Sequence, residues 1–307
     1  MKIKKNAISL FLGAALGGLS ISASAGPIII AGTDADDHGS ASATANFTGW
    51  LFMQKAFENL APAVTNGELT VTCIGCNSSL ALSAFNSATT KSGLDGTWNF
   101  VALSTVSDIT NFFNGTGTTN LNNTGIIYMP TVSSNVSGGI TDAQLGIVNS
   151  NSSALNDFVV GGGGLFTQEQ ANSNIGYGWL STLLPGLSVQ GDNGGPGFNS
   201  NSLSITAAGN SAFPGLTDSD VTNATPWHAW FSGDFGGLNT LVTGPIFGAN
   251  GTFPGAVVIG GGAGTVFQCG EPGQPPCTNQ VPEPGVLPLL AVGLFGLGYT
   301  LRRKYHA

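Results

Sequence analysis

Short apolar runs recur along the chain, and segments with helical spacing separate them; this alternation limits the fold more than any other feature. Residues 27–31, 69–73, 98–103, 125–129 and 165–167 read as buried strands. Between the first two, Trp50, Met53, Phe57 and Leu60 recur at i, i+3, i+7 and i+10, one face of a helix that Pro62 helps end. Residues 80–87 and 107–113 read as helices. Residues 141–160, with Leu145, Val148, Leu155 and Phe158, read as one helix or a broken pair, stopped by the glycines at 161–164. A further helix is expected over 175–184, and later strands over 203–206, 238–242 and 256–259. Residues 32–42 read as a loop. The alternation predicts a three-layer α/β domain, a mainly parallel sheet flanked by helices, spanning 26–248. A glycine- and proline-rich extension and linker follows over 249–280.

Charge excludes several function classes. Of the eight Lys and Arg, six lie close to the two ends: Lys2, Lys4, Lys5, Arg302, Arg303 and Lys304. Lys55 and Lys91 alone face fifteen of the sixteen acids within 26–282, a net charge of −13 for that stretch. Such a body has no cationic footprint for nucleic acid or anionic lipid. It also has no arginine fork for phosphate, which argues against nucleotide-dependent chemistry.

The two ends carry the sharpest motifs. Three lysines, an apolar run over 7–19 and then Ala23-Ser24-Ala25 have the layout of a signal peptide over 1–25, cut by signal peptidase before Gly26. At the other end, Pro282-Glu283-Pro284 precedes an apolar stretch over 286–301, and Arg302, Arg303 and Lys304 follow at once. That stretch is short for a transmembrane helix, but flanking cations can reach the interface and hold the basic end inside. The arrangement over 281–307 resembles the PEP-CTERM sorting signal of exported Gram-negative proteins. The resemblance implies transient anchoring in the inner membrane, processing by an exosortase, and association with the cell envelope, cell surface or extracellular polysaccharide. Four cysteines in close pairs, Cys73 with Cys76 and Cys269 with Cys277, suit two local disulfides in an oxidising compartment. A zinc site on Cys73 and Cys76 lacks a second pair or a nearby histidine.

A second resemblance concerns the middle of the chain. Leu155-Asn156-Asp157-Phe158-Val159, the glycines 161–164 and then Leu165-Phe166-Thr167-Gln168 are similar to the helix–glycine–strand passage of class I glutamine amidotransferase-like domains, including the ThuA-like branch. Ile126-Ile127-Tyr128-Met129-Pro130 resembles their strand that ends over the site. The resemblance implies a flavodoxin-like layered sheet. Its catalytic members place a cysteine after the strand, where this chain has Thr167, Gln168 and Glu169, so a glutaminase mechanism has no thiolate to use. No G-x-S-x-G supplies a serine nucleophile either.

Candidate chemistry sits where strands should end. Asp34, Asp36 and Asp37 crowd three carboxylates beside His38 and are the expected metal ligands, with Ca2+ the cation to expect from oxygen donors. A solvated turn, with the aspartates capping backbone amides, accounts for the same residues without a ligand. His228, between Trp227 and Trp230, is the other histidine of the body, and with His38 and Glu169 it completes the candidates for acid–base work. The expected function is an exported, exosortase-sorted envelope or matrix protein without a defined catalytic activity. The alternatives are an extracellular metal-assisted hydrolase or carbohydrate-active enzyme, and a calcium-stabilised adhesion module.

Overall fold

Alternation along the first strand builds apolar core on both faces of a sheet. The computed structural model describes residues 26–168, 173–191, 202–222, 227–248 and 251–261. Strand β1 (Ile28–Ala31) contributes Ile29 and Ala31 to one apolar cluster and Ile28 and Ile30 to a second, all four buried. The chain continues through β2 (Gly39–Ala41), β3 (Asn46–Thr48), α1 (Gly49–Leu60), β4 (Thr70–Ile74), α2 (Ser79–Lys91), β5 (Asn99–Leu103) and α3 (Val106–Asn114). Then come β6 (Ile126–Met129), α4 (Asp142–Ser150), α5 (Ser152–Val160), β7 (Gly164–Gln168), α6 (Gly178–Leu183) and β8 (Leu187–Gly191). The last elements are β9 (Ser204–Ile205), α7 (Ala207–Ala212), α8 (Asp218–Thr222), β10 (Ala229–Gly233), β11 (Asn239–Gly248) and β12 (Gly251–Gly261).

Five strands pair in parallel in the order β5-β4-β6-β7-β1. At β1 the sheet changes character. β12 runs antiparallel to it, from Ile28 opposite Gly261 to Ala31 opposite Val258. β10, β8, β11 and β9 also join by antiparallel pairing. The sheet is therefore mixed, which corrects the mainly parallel expectation. The reason lies in the connections: a parallel neighbour needs a crossover of a dozen or more residues, whereas β11 and β12 turn directly into each other as a hairpin. The boundary expected at residue 248 shifts for the same reason, since β12 lies beyond it and inside the sheet.

Helices flank both faces. On one, α1 buries Phe52, Met53, Ala56, Phe57 and Leu60, and α2 adds Ala84, Phe85 and Ala88. Phe57 meets Phe85, Tyr128 and Phe166 edge-on at 6.2, 5.7 and 5.5 Å, so the core carries directional aromatic packing as well as buried area. The other face is covered by α3 (Ile109, Phe112), α4 (Leu145, Val148), α5 (Leu155, Phe158, Val159) and α6 (Trp179, Leu180). Local signals explain the breaks. Thr141 and Gln144 form a reciprocal capping box at the start of α4. Asn151, at φ −111° and ψ 25°, leaves the helical region, so 141–160 forms the broken pair. Gly115 ends α3 in the left-handed region at φ 72°.

Cys73, in β4, and Cys76, just after it, form a disulfide with their Cα atoms 5.8 Å apart, and both are buried. Part of the stretch read as a loop is instead a hairpin, β2 against β3. Among the described residues no helix is long and apolar enough to cross a membrane. The signal-peptide region, Glu169, Cys269, Cys277, Pro282, Glu283, Pro284, the apolar stretch and its Arg302, Arg303 and Lys304 lie outside the described residues.

Candidate functional site

The carboxyl ends of β1, β6 and β7 meet the start of β10, and several buried polar residues, Thr33, Asp34, Asp36, Thr131 and Gln168 among them, collect there. Chain geometry at Gly32 makes the junction. Its amide donates to Val257 O at 2.7 Å, and its carbonyl accepts from the amides of His228 and Ala229 at 2.8 and 3.1 Å. A Cβ on residue 32 would stand 2.0 Å from Ala229 O, so only glycine admits this approach. His228 is thereby held beside the segment that follows β1. His38 is fixed from the other direction, its carbonyl accepting from Gly49 N and Thr48 Oγ1 at 3.1 and 3.0 Å.

Asp34 is the hub. One of its oxygens, Oδ2, stands 3.0 Å from His228 Nε2 and 3.3 Å from His38 Nε2, and accepts from Asn135 Nδ2 at 2.7 Å. The carboxylate is buried, its side chain 1 % exposed, while His228 and His38 keep 26 % and 37 % of their side chains open. Its other oxygen, Oδ1, is buried and has no hydrogen-bond partner among the described residues. Burial pushes the Asp34 pKa up, but the hydrogen bonds and charges of His228 and His38 outweigh it and hold the group at about 2. The bond to Asp34 raises His38 above the usual imidazole value, with burial opposing. Asp37 lies 3.6 Å from His38 Nε2, and one ligand atom from each of Asp34, Asp37 and His38 falls within 4.8 Å of the others.

Asp36 does not join them. It points inward and accepts from Thr131 N at 2.9 Å and Thr131 Oγ1 at 2.6 Å, with the Tyr128 hydroxyl at 3.5 Å. Complete burial raises it to about 6, against the two Thr131 bonds. Burial beside Asp36 likewise drives Tyr128 well above its ordinary value. The expected triad of Asp34, Asp36 and Asp37 is therefore split. Consecutive turn residues point in different directions, so Asp36 is consumed as a structural acceptor while Asp34 and Asp37 stay with the histidines. Thr33 Oγ1 donates to Gln168 Oε1 at 2.9 Å and ties the end of β7 to the same junction.

His38 and His228 thus both approach Asp34 Oδ2. Asn135 and Thr131 were not legible as site residues, since nothing in the 131–135 sequence marks it. Tyr128 and Gln168 carried a signal only through their place at strand ends. Two surface hollows among the described residues lie elsewhere, at the amino ends of the strands. One of about 420 Å³, lined by Asn66, Glu68, Asp157 and Phe158 among others, contains no histidine.

Comparison with known proteins is confined to the C-terminus. No curated protein and no solved structure matches the chain significantly, so the amidotransferase-like resemblance finds no support. The PEP-CTERM protein-sorting motif matches residues 280–304, which implies an exported, envelope-associated protein processed by an exosortase.

Proposed function

We propose that this is a cell-surface or extracellular-matrix protein, cut from its C-terminal tag by an exosortase and associated with exopolysaccharide without a catalytic role of its own. The sorting motif at 280–304 is the observation that carries the reading. The acidic body supports it: with Lys55 and Lys91 as its only Lys or Arg residues between 26 and 282, the mature protein has little means of holding polyanions such as nucleic acid. Intact mass, measured separately on membrane, periplasmic and extracellular fractions of the native host, tests it. A species lacking residues 1–25 and the apolar tail, found outside the cell, is the expected result. A membrane species that retains 286–307 would replace the reading with a tail-anchored protein.

A second reading, an extracellular metal-assisted hydrolase, is favoured by one specific observation. His38 and His228 meet at the same carboxylate oxygen of a buried aspartate, on the side of the sheet where strand ends gather. The calcium-stabilised module loses ground, because Asp36 spends both oxygens on Thr131. Hydrolysis of ester or glycoside substrates by the exported protein, lost in His228→Ala, would decide for the hydrolase.

A further inference from the structure

We propose that the open end of the sheet, where β8, β10 and β12 lie side by side, is the surface by which the protein holds polysaccharide, and that the chain it takes is a neutral glycan. The inference rests on the exopolysaccharide-associated reading and gives it a place on the molecule and a ligand class.

Strand alternation builds the surface. In β10, Phe231 turns to the face covered by α3, α4, α5 and α6, and Trp230 turns to the opposite one. Register brings neighbours to the same side. Gln190 is paired with Trp230 and Ser188 with Ser232, while Leu187 and Val189 pack with Phe231 on the far face. β12 adds Phe253, whose ring meets that of Trp230 edge-on, with centroids 5.8 Å apart and planes at 72°. The helices on this side lie over β1, β5, β7 and β11. Ser188, Gln190 and Phe253 are exposed, and Trp230 and Ser232 are half-buried.

Three observations carry it. First, the aromatic pair is held in place. A Cβ on residue 255 would stand 3.3 Å from Trp230 Cε3 and 2.4 Å from Ile246 Cγ1, so glycine there lets the indole settle against the strand. A ring braced by Gly255 and Phe253 loses little freedom when a ligand stacks on it. Second, polar groups around the rings are unspent. The indole N–H of Trp230 and the side chains of Ser188, Gln190 and Ser232 make no hydrogen bond among the described residues. A sugar ring uses both kinds of group: its C–H faces lie on the negative face of an aromatic ring, and its hydroxyls exchange hydrogen bonds with amides and hydroxyls. Third, charge selects among glycans. None of these five residues is charged, and Lys55 and Lys91 lie away on α1 and α2. The net charge of −13 over 26–282 repels polymers that bear carboxylate or sulfate. Strand spacing makes the patch roughly 10 Å by 7 Å, the footprint of a short run of sugar rings and far below that of a protein interface.

The test uses the exported protein recovered from its host, run in native gels cast with the host's own exopolysaccharide, split on an anion exchanger into neutral and acidic fractions. Retardation by the neutral fraction, and not by the acidic one, is expected. Trp230→Ala should weaken it roughly tenfold. Gln190→Ala alters an exposed side chain that makes no hydrogen bond, so the fold is not at stake, and it should weaken retardation about threefold. Retardation unchanged in both variants, retardation by the acidic fraction instead, or none by either would overturn the surface. Dimerisation in sedimentation that Trp230→Ala abolishes, with no retardation, would make this face a contact between copies and overturn it as well. Co-fractionation with the matrix in the host is scored separately. Both variants found there as fully as the unaltered protein would remove this surface and leave the exopolysaccharide reading, whereas absence of the unaltered protein would remove the reading itself.

Discussion

Two aspartates two positions apart titrate in opposite directions, and their pH effects fall in separate windows. Asp34 sits at about 2, below its ordinary 3.8, so its stabilisation is present above that value and is lost as pH falls through 2. Asp36 sits at about 6, so its favourable contribution is present below 3.8 and is lost as pH rises through 6. The second effect amounts to about 3 kcal/mol between the two limits. His38, raised by Asp34, has the same sign and loses its contribution at still higher pH. The melting temperature should therefore peak near pH 4 and decline toward neutrality. Asp36→Asn should flatten the decline between pH 4 and 6 and leave the acid limb in place. A variant profile parallel to that of the unaltered protein would remove Asp36 as the cause. The run Asp34-Ala35-Asp36-Asp37-His38 announced a polar site, and His38 and Asp34 are in it. Which aspartate turns inward was not legible, because the deciding partner, Thr131, comes from a distant loop with no motif of its own.

Elements of the parallel half were readable because strands buried on both faces are short unbroken apolar runs. β8 and the β2–β3 hairpin escaped for the opposite reason. Each is largely open to solvent; β2 and β3 are three residues each, and in β8 the alternation of Leu187 and Val189 with Ser188 and Gln190 spans only four residues directly after Pro185-Gly186. β10 was hidden differently: Ala229 and Phe231 are buried in alternation, but the intervening Trp230 masks the period. Two changes probe how the elements are fastened. Phe57→Ala removes the ring that meets three others and should cost about 3–5 kcal/mol, read from denaturant melts. Gly32→Ala places a methyl group against Ala229 O and should part the start of β10 from the segment that follows β1. It should lower the melting temperature and separate His228 from Asp34, which the imidazole resonances of His228 would report. Resonances and a melting temperature equal to those of the unaltered protein would show that the junction tolerates the added methyl group. Opening the Cys73–Cys76 disulfide, which closes a very small loop, should cost only about 2 kcal/mol.

At the scale of the molecule, three layers were foreseeable from alternating strands and helices, but the antiparallel half was not. Short apolar runs at 203–206, 238–242 and 256–259 marked β9, β11 and β12, but nothing in them fixes the direction in which they pair, and β8 and β10 were not read at all. A chain ended at residue 248 loses β12 and should be protease-sensitive and without a cooperative melt. One ended at residue 267 should melt as the processed protein does. Equal melts would return the boundary to 248. The position of β12 has a further consequence. Its end, Gly261, lies opposite Ile28, the first residue of β1. A polypeptide passed across a membrane amino end first delivers β1 at the outset and β12 almost last. Three consecutive isoleucines, destined for the middle of the sheet, must therefore wait with one edge bare until the final hairpin arrives. Throughout that interval the bare edge of β1 is open to pairing with a neighbour's strand, so the incomplete chain is more prone to association than the finished one.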